Sequence, residues 1–130
     1  MKAYLIDTNV LISLFSVPTE QRVKHLLKTL NKKSILYLCG PVLSEFYQGI
    51  DRKNAEYYSA LLDEFPYLHS NRAIYENTGL MAHELKKQGW TAPLGDCMIA
   101  QISKHYQAEV VTFDKHFLHF KGIKVKFFRL

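Results

Sequence analysis

Long apolar runs are absent from this sequence of 130 residues, and so are repeats and low-complexity segments. No stretch approaches the roughly 18 consecutive apolar residues that a membrane-spanning helix needs, so we expect no membrane association. Asp7 and Asn9 interrupt the apolar residues near the N terminus, and no small-residue cleavage site follows before Thr19, so we expect no signal peptide. Since no linker-like segment is present either, the sequence predicts one domain over residues 1–130.

Cysteine is scarce, with two residues in the chain. Cys39 and Cys97 form no Cys-x-x-Cys pair and have no histidine at the spacing of a zinc site, which argues against zinc. Each lies in an apolar stretch, where a free thiol behaves as a small apolar side chain, so we predict that both are buried and unpaired. Free thiols fit a reducing compartment, and we expect a cytoplasmic protein.

Acidic residues are outnumbered, with 12 Asp and Glu against 17 Lys and Arg, which gives a formal net charge of +5. A positive exterior attracts polyanions such as nucleic acids, but many soluble proteins of this size are mildly basic and bind none. The charge balance alone therefore leaves nucleic-acid binding open.

Four of these acids stand out because each lies beside an apolar segment, where a carboxylate is costly to bury without compensation of its charge. Asp7 lies in Leu-Ile-Asp-Thr-Asn and Glu45 in Leu-Ser-Glu-Phe. Asp96 begins Asp-Cys-Met-Ile-Ala, and Asp114 ends Val-Thr-Phe-Asp. Two carboxylates about 5 Å apart repel by roughly 3 kcal/mol at an effective dielectric of about 20. A hard divalent cation such as Mg²⁺ or Mn²⁺ offsets this repulsion, so the four acids predict a metal-dependent hydrolase of phosphate esters.

Short apolar runs alternate with amphipathic stretches, and 48% of the residues are hydrophobic, enough for a folded core. The runs predict five strands, of which the last alternates apolar residues with lysine as an edge strand does: Ala3–Ile6, Ile35–Cys39, Tyr67–His69, Glu109–Phe113 and Ile123–Phe127. Apolar residues at helical spacing predict helices within 23–30, 41–50, 74–89 and 94–106. Strands that alternate with helices predict an α/β/α sandwich with a central, mostly parallel sheet.

This architecture gives acids that are distant in sequence a common location. Ligand sites of open α/β sheets lie beyond the carboxyl ends of the strands, and Asp7 and Asp114 each directly follow a predicted strand. Glu45 lies on the helix after the second strand, and Asp96 lies at the start of its helix, where the helix dipole favours a negative charge. We therefore expect the four acids to meet at one edge of the sheet.

Each acid also has a purely structural explanation. Asp7 and Asp96 are of the residue type that caps helices, and Asp114 is of a type common in turns. Glu45 is the most ambiguous, because a single glutamate on a helix is usually solvated. We favour the functional interpretation of Asp7, Asp96 and Asp114 because the motifs occur together, whereas only the family resemblance described next favours it for Glu45.

Together the four motifs resemble those of the PIN-domain ribonucleases: Leu-Ile-Asp-Thr-Asn at 5–9, Leu-Ser-Glu-Phe at 43–46, Asp-Cys-Met-Ile-Ala at 96–100 and Thr-Phe-Asp-Lys-His-Phe at 112–117. The resemblance covers about residues 2–128 and is greatest to the small VapC-type toxins of toxin–antitoxin pairs. It implies that Asp7, Glu45, Asp96 and Asp114 hold one or two Mg²⁺ or Mn²⁺ ions and are catalytic. It further implies that Asn9 and Thr112 support the acids or bound water.

The resemblance implies hydrolysis of RNA that leaves a 5′-phosphate and a 3′-hydroxyl, a cognate antitoxin as partner, and a homodimer. The sequence departs from the family pattern at Phe113, where a basic residue is common, and at Gln101, where a small residue is usual. Neither departure removes an acid, so both bear on substrate choice rather than on activity.

Two other functions remain open from the sequence. One is a PIN-type nuclease of RNA maturation or DNA processing that has no antitoxin. The other is a non-catalytic module that binds RNA or protein and retains a metal site, against which the complete set of four acids argues. Phospho-acceptor receiver domains and haloacid dehalogenases are excluded, since the first strand ends in neither paired acids nor Asp-x-Asp.

Histidines and aromatic residues have mostly structural interpretations. His116 and His119 have no metal-site spacing with a further ligand, so we interpret them as surface or capping residues. Trp90 and the pair Phe127 and Phe128 could stack on bases, but ordinary core packing explains most aromatic residues.

Overall fold

A computed structural model describes residues 1–130 and contains one five-stranded sheet in the order β3-β2-β1-β4-β5. Every neighbouring pair of strands is parallel. All five predicted strands are confirmed to within two residues at each end: β1 Lys2–Ile6, β2 Ser34–Cys39, β3 Tyr67–Leu68, β4 Glu109–Thr112 and β5 Val125–Phe127. The predicted α/β fold with a central parallel sheet is therefore confirmed.

Six α-helices connect the strands: α1 Thr8–Leu14, α2 Glu20–Lys28, α3 Gly40–Gln48, α4 Ala55–Leu62, α5 Arg72–Lys87 and α6 Leu94–Tyr106. Short 3₁₀ helices span Arg52–Asn54 and Lys115–His119. The four predicted helices correspond to α2, α3, α5 and α6. The sequence does not predict helices α1 and α4. Helix α1 has only seven residues and helix α4 buries only Leu62, so neither shows a long apolar stripe in the sequence.

Both faces of the central strands are covered. Successive side chains of a strand point to opposite faces, and Leu5, Ile6, Val110 and Val111 are all fully buried. The helices therefore pack on both sides of the sheet, as in an α/β/α sandwich. Both cysteines are free and buried, as predicted.

The strand order reverses next to β1. From β1 the chain proceeds to β2 and β3 on one side, and it then crosses to β4 and β5 on the other side. Ligands bind in such sheets beyond the carboxyl ends of the strands at the reversal, which here are the ends of β1 and β4. Asp7 follows β1, and its backbone N–H donates to the Val111 carbonyl of β4 at 3.0 Å.

Strand β5 forms one edge of the sheet, in agreement with its predicted edge pattern. Lys126 is exposed between the half-buried Val125 and Phe127. At the opposite edge, β3 has only two residues, and short or lysine-bearing edges limit pairing with other chains. No helix of the structure combines the length and apolar character needed to cross a membrane.

Candidate metal centre

Asp7 lies at the end of β1 and is also the N-cap of helix α1. Its Oδ1 accepts from the Thr8 backbone N–H at 2.8 Å, and its Oδ2 accepts from the Thr112 hydroxyl at 2.7 Å. Only 5% of the residue is exposed. Burial raises the pKa of Asp7 to about 6, with smaller contributions from the negative charges of Glu45 and Asp114, although both hydrogen bonds lower it. Asp7 thus caps helix α1, as its structural explanation requires, yet its carboxylate remains costly to ionise.

Thr112 connects the ends of β1 and β4. Besides donating to Asp7, its hydroxyl oxygen accepts from the Asp114 backbone N–H at 2.9 Å and from Asn9 Nδ2 at 3.4 Å. Asn9 Oδ1 accepts from the backbone N–H of Phe113 at 3.2 Å, which turns the chain out of the sheet one residue before the predicted end of the strand. Asn9 and Thr112 therefore lie where a supporting role would require them, and that role stays a prediction.

Glu45 projects from helix α3 towards the same edge. Its Oε1 accepts from the Thr8 hydroxyl at 3.2 Å, across 37 residues of sequence. The residue is exposed, and Gly95 approaches it so closely that a Cβ at that position would lie 3.5 Å from Oε1. Because Gly95 immediately precedes Asp96, this approach brings helix α3 and the start of helix α6 together at the site.

Asp96 lies in the first turn of helix α6 and is half-buried. Burial raises its pKa to about 6, and the charges of Asp7, Glu45 and Asp114 raise it further, while His116 lowers it. No helix cap is formed by Asp96, because the N-cap position belongs to Pro93. The structural explanation of Asp96 as a capping residue therefore does not hold.

Asp114 follows β4 and begins the 3₁₀ helix Lys115–His119. Its Oδ1 accepts from the His116 backbone N–H at 2.9 Å and lies 2.8 Å from His116 Nδ1. His116 is exposed, as predicted, but it also contacts a site acid, which the sequence interpretation missed. Thr8 was missed as well, since a threonine after Asp7 carries no signal of a contact with residue 45.

The four acids have no lysine or arginine partner. Six ion pairs form in the structure, and the only one that includes any of these acids is the pair of Asp114 with His116. In a chain with 17 Lys and Arg, this arrangement leaves a concentration of negative charge at one edge of the sheet. Uncompensated carboxylates of this kind are typical of cation sites.

The donor atoms fit a hard divalent cation, because four carboxylates offer only oxygen ligands. No group of three or more His, Cys, Asp and Glu side chains stands at the mutual spacing that holds a metal ion. The acids thus fit a metal in chemistry and charge, while their side chains do not yet form a closed ligand shell.

Comparisons with known proteins agree with this geometry. The sequence matches the family model described as PIN domain over residues 4–123. A comparison with curated protein sequences gives no significant match.

Several solved structures have the same fold. VapBC2 from Rickettsia felis, bound to a DNA fragment from its promoter, is similar with a TM-score of 0.81 at 18% identity, covering 97% of this chain and 98% of that chain. VapBC-1 from nontypeable Haemophilus influenzae gives a TM-score of 0.77 at 21% identity, with coverage of 96% and 97%. VapC20 from Mycobacterium tuberculosis, a toxin that cleaves the sarcin–ricin loop, gives 0.73 at 14% identity, with coverage of 95% and 98%.

Proposed function

The chain belongs to the PIN domain family, and on this premise we propose that it is a metal-dependent endoribonuclease that acts as the toxin of a toxin–antitoxin pair. The observation that carries the nuclease proposal is the set of four acids without a basic partner, located where the strand order reverses. A buried, desolvated Asp7 with a raised pKa is unfavourable for the fold alone, so its presence supports a functional requirement.

The toxin proposal is supported by the similar structures. Two of them are VapBC structures, and the third is a toxin that cleaves the sarcin–ricin loop. We infer from these likenesses an RNA substrate, a cognate antitoxin that binds this chain, and a homodimeric toxin. Such an enzyme meets its RNA in the cytoplasm, where we place it.

Asp7, Glu45, Asp96 and Asp114 are the residues that would hold one or two Mg²⁺ or Mn²⁺ ions. A bound ion would lower the pKa of a water molecule and stabilise negative charge on the phosphate in the transition state. We infer catalytic roles for all four acids through this binding.

Neighbouring polar residues restrain three of the four acids, Asp7, Glu45 and Asp114. Thr112 and the Thr8 backbone hold both oxygens of Asp7, so that its carboxylate cannot rotate away from the sheet edge. The Thr8 hydroxyl restrains Glu45, and His116 restrains Asp114. Restrained carboxylates lose less conformational entropy when they close around a cation, although they must still move to form its ligand shell.

The deciding experiment measures cleavage of a mixed RNA pool with Mg²⁺ or Mn²⁺, with and without chelator. Asp7→Asn should lower the cleavage rate at least about 100-fold, because the amide removes one negative charge from the site. Asp63→Asn makes the same chemical change at an exposed position at the end of helix α4 and should cleave like wild type.

Unchanged cleavage by Asp7→Asn would refute the mechanism. A folded wild type that binds metal and cleaves no RNA would instead identify a binding module. Co-purification with a small protein that blocks cleavage would support the toxin, whereas normal growth of cells that express the active nuclease alone would favour an RNA-processing enzyme.

A further inference from the structure

The positive charge of this protein is concentrated at its C-terminal end. Residues 115–130, here called the C-terminal basic segment, contain no acid and five basic residues: Lys115, Lys121, Lys124, Lys126 and Arg129. The preceding 114 residues contain twelve Lys and Arg and all twelve Asp and Glu. The entire formal net charge of +5 therefore belongs to this segment.

The C-terminal basic segment begins and ends beside the four acids. After Asp114 the segment forms the 3₁₀ helix Lys115–His119 and then continues to the amino end of β4. There the Lys124 carbonyl accepts from the Val110 backbone N–H at 2.9 Å. From there β5 runs parallel to β4 back to the site edge, where the Phe128 N–H donates to the Thr112 carbonyl at 3.0 Å. Lys115 and Arg129 consequently flank the acids.

All five cations of this segment are exposed and form no ion pair, and Lys126 Nζ lies 5.7 Å from the centre of the Phe128 ring. None of them takes part in the six ion pairs of the structure. Lys124 and Lys126 lie two residues apart along the edge of the sheet, so their Cα atoms are about 6.5 Å apart and their side chains share one face, and Arg129 follows the end of β5 near the site. A row of free cations that ends at a cluster of acids suits a polyanion whose phosphate is to reach those acids.

Aromatic and imidazole rings accompany the cations. The His116 ring, which contacts Asp114, lies 6.2 Å from the His119 ring, and the His119 ring lies 5.9 Å from the Trp90 ring. His116 and His119 are exposed, and Trp90 is half-buried. Successive bases of a single strand stack on such rings, whereas a duplex hides the faces of its bases.

We propose that the C-terminal basic segment, together with Trp90, is the surface along which single-stranded RNA lies while one of its phosphodiesters enters the acid site. Lys124, Lys126 and Arg129 contact phosphates, and the ring row of His116, His119 and Trp90 stacks on bases. The RNA identity of the strand rests on the proposed function. An acidic peptide would satisfy the cations but has no flat bases for the ring row, so the structure favours nucleic acid.

Binding of a fluorescently labelled, single-stranded RNA 20-mer of mixed sequence in EDTA tests the cation row. Wild type is compared with the triple variant Lys124→Gln, Lys126→Gln, Arg129→Gln over a range of salt concentrations. The triple variant should bind at least tenfold more weakly at about 0.1 M salt. Its slope of log affinity against log salt should fall by about 2, since each lost phosphate contact removes about 0.7.

A second triple variant controls for net charge. Lys28→Gln, Lys32→Gln, Lys33→Gln removes the same charge from exposed positions at the end of helix α2 and beyond, and it should bind RNA like wild type. Equal weakening by both triple variants would overturn the proposal, and so would tighter binding of a duplex than of the single strand. Binding of poly-glutamate as tight as that of RNA would also overturn it.

The ring row is tested at His119. His119→Ala should weaken RNA binding at least fivefold, the lower range for loss of stacking on one base. His119→Phe keeps a flat ring and should restore most of the affinity, while His25→Ala removes an exposed histidine on helix α2 and should have no effect. Failure of the phenylalanine to restore binding would overturn the stacking role.

Cleavage assays with Mg²⁺ separate this proposal from the proposed function. The Lys124, Lys126, Arg129 triple variant should raise KM for the RNA 20-mer several-fold more than KM for bis(p-nitrophenyl) phosphate, because that small diester spans only the Arg129 end of the basic segment. Unaltered RNA cleavage by the triple variant, with Asp7→Asn inactive, would refute the surface and retain the nuclease. Wild type that cleaves neither substrate would refute the nuclease, and the binding assay would still decide on the surface.

Discussion

Asp7 shows how one side chain combines a local structural role with an unfavourable environment. It caps helix α1 and accepts two hydrogen bonds, and both contacts ordinarily stabilise an ionised aspartate. Burial outweighs them and raises its pKa to about 6. The hydrogen bonds therefore hold the carboxylate in place but do not remove the free-energy cost of ionising it. A bound cation would lower that cost.

Thr112→Val tests the hydroxyl that holds Asp7. The substitution keeps the shape and removes the 2.7 Å hydrogen bond, together with the acceptor of the Asp114 N–H, so we expect a stability loss of about 2 kcal/mol. Since that bond lowers the pKa of Asp7, its loss should raise the pKa further and shift the rising limb of the cleavage pH profile to higher pH.

Thr112→Ser keeps the hydroxyl and is the matched control, with an expected pH profile like that of wild type. Denaturant unfolding measures the stability, and initial cleavage rates across pH 5–9 measure the profile. A valine variant with an unshifted profile would show that Thr112 does not control the charge of Asp7.

At the scale of elements, helix α6 carries a candidate metal ligand at its start and a strained residue at its end. Asp96 lies in its first turn, where the helix dipole partly offsets the negative charge. The helix ends at Gln107, which has a φ of 56° and is the only residue other than glycine with a positive φ. Its left-handed turn directs the chain into β4 and so towards Thr112 and Asp114.

Gln107→Gly should stabilise the protein by about 0.5–1 kcal/mol. Glycine adopts the left-handed conformation without the steric cost of a Cβ, and this gain exceeds the entropy that glycine adds to the unfolded chain. Gln88, which ends helix α5 with a φ of −86°, provides the comparison, since Gln88→Gly should give no gain or a small loss. Denaturant midpoints of the two variants measure the difference, and a larger gain at residue 88 would contradict the explanation.

For the whole molecule, we expect the acid site to make stability depend on pH and on bound metal. The pKa of both Asp7 and Asp96 is raised to about 6, so in the metal-free protein the folded state retains protons that the unfolded chain has already released. Their effect is therefore a loss of stability that begins above the unfolded pKa near 3.8 and is complete above pH 6. Metal-free protein should be least stable in the range where the enzyme would work.

The free energy of unfolding in EDTA should thus fall between about pH 4 and about pH 6.5, and Asp7 should account for up to about 3 kcal/mol of the total effect. Asp7→Asn removes this titration. The free energy of unfolding of the variant, relative to that of wild type, should therefore increase as the pH rises. Mg²⁺ or Mn²⁺ should restore wild-type stability at pH 7.5 by binding the folded state, with little effect on Asp7→Asn. Thermal unfolding at several pH values measures both, and metal-independent stability of wild type at pH 7.5 would contradict the metal site.

Local sequence patterns were sufficient to predict most of the elements and the acidic residues that follow two of the strands. Apolar runs located all five strands and four of the six helices, because burial requires a periodic pattern that is written locally. Asp7 and Asp114 were recognisable because each follows a strand, and the order of strands and helices was sufficient to predict a parallel sheet. Helices α1 and α4 were not predicted, since a short helix that buries few residues shows no clear helical spacing of apolar residues in the sequence.

Which of these residues meet depends on long-range packing and could not be predicted from local patterns. The contact of Thr112 with Asp7 spans 105 residues and that of Thr8 with Glu45 spans 37, and no local pattern encodes either pairing. The placement of β4 beside β1 brings Thr112 and Asp114 to Asp7, and the return of β5 along β4 brings the C-terminal cations to the same edge. Strand order depends on long-range packing of whole elements, so the site emerges from the fold rather than from any one segment.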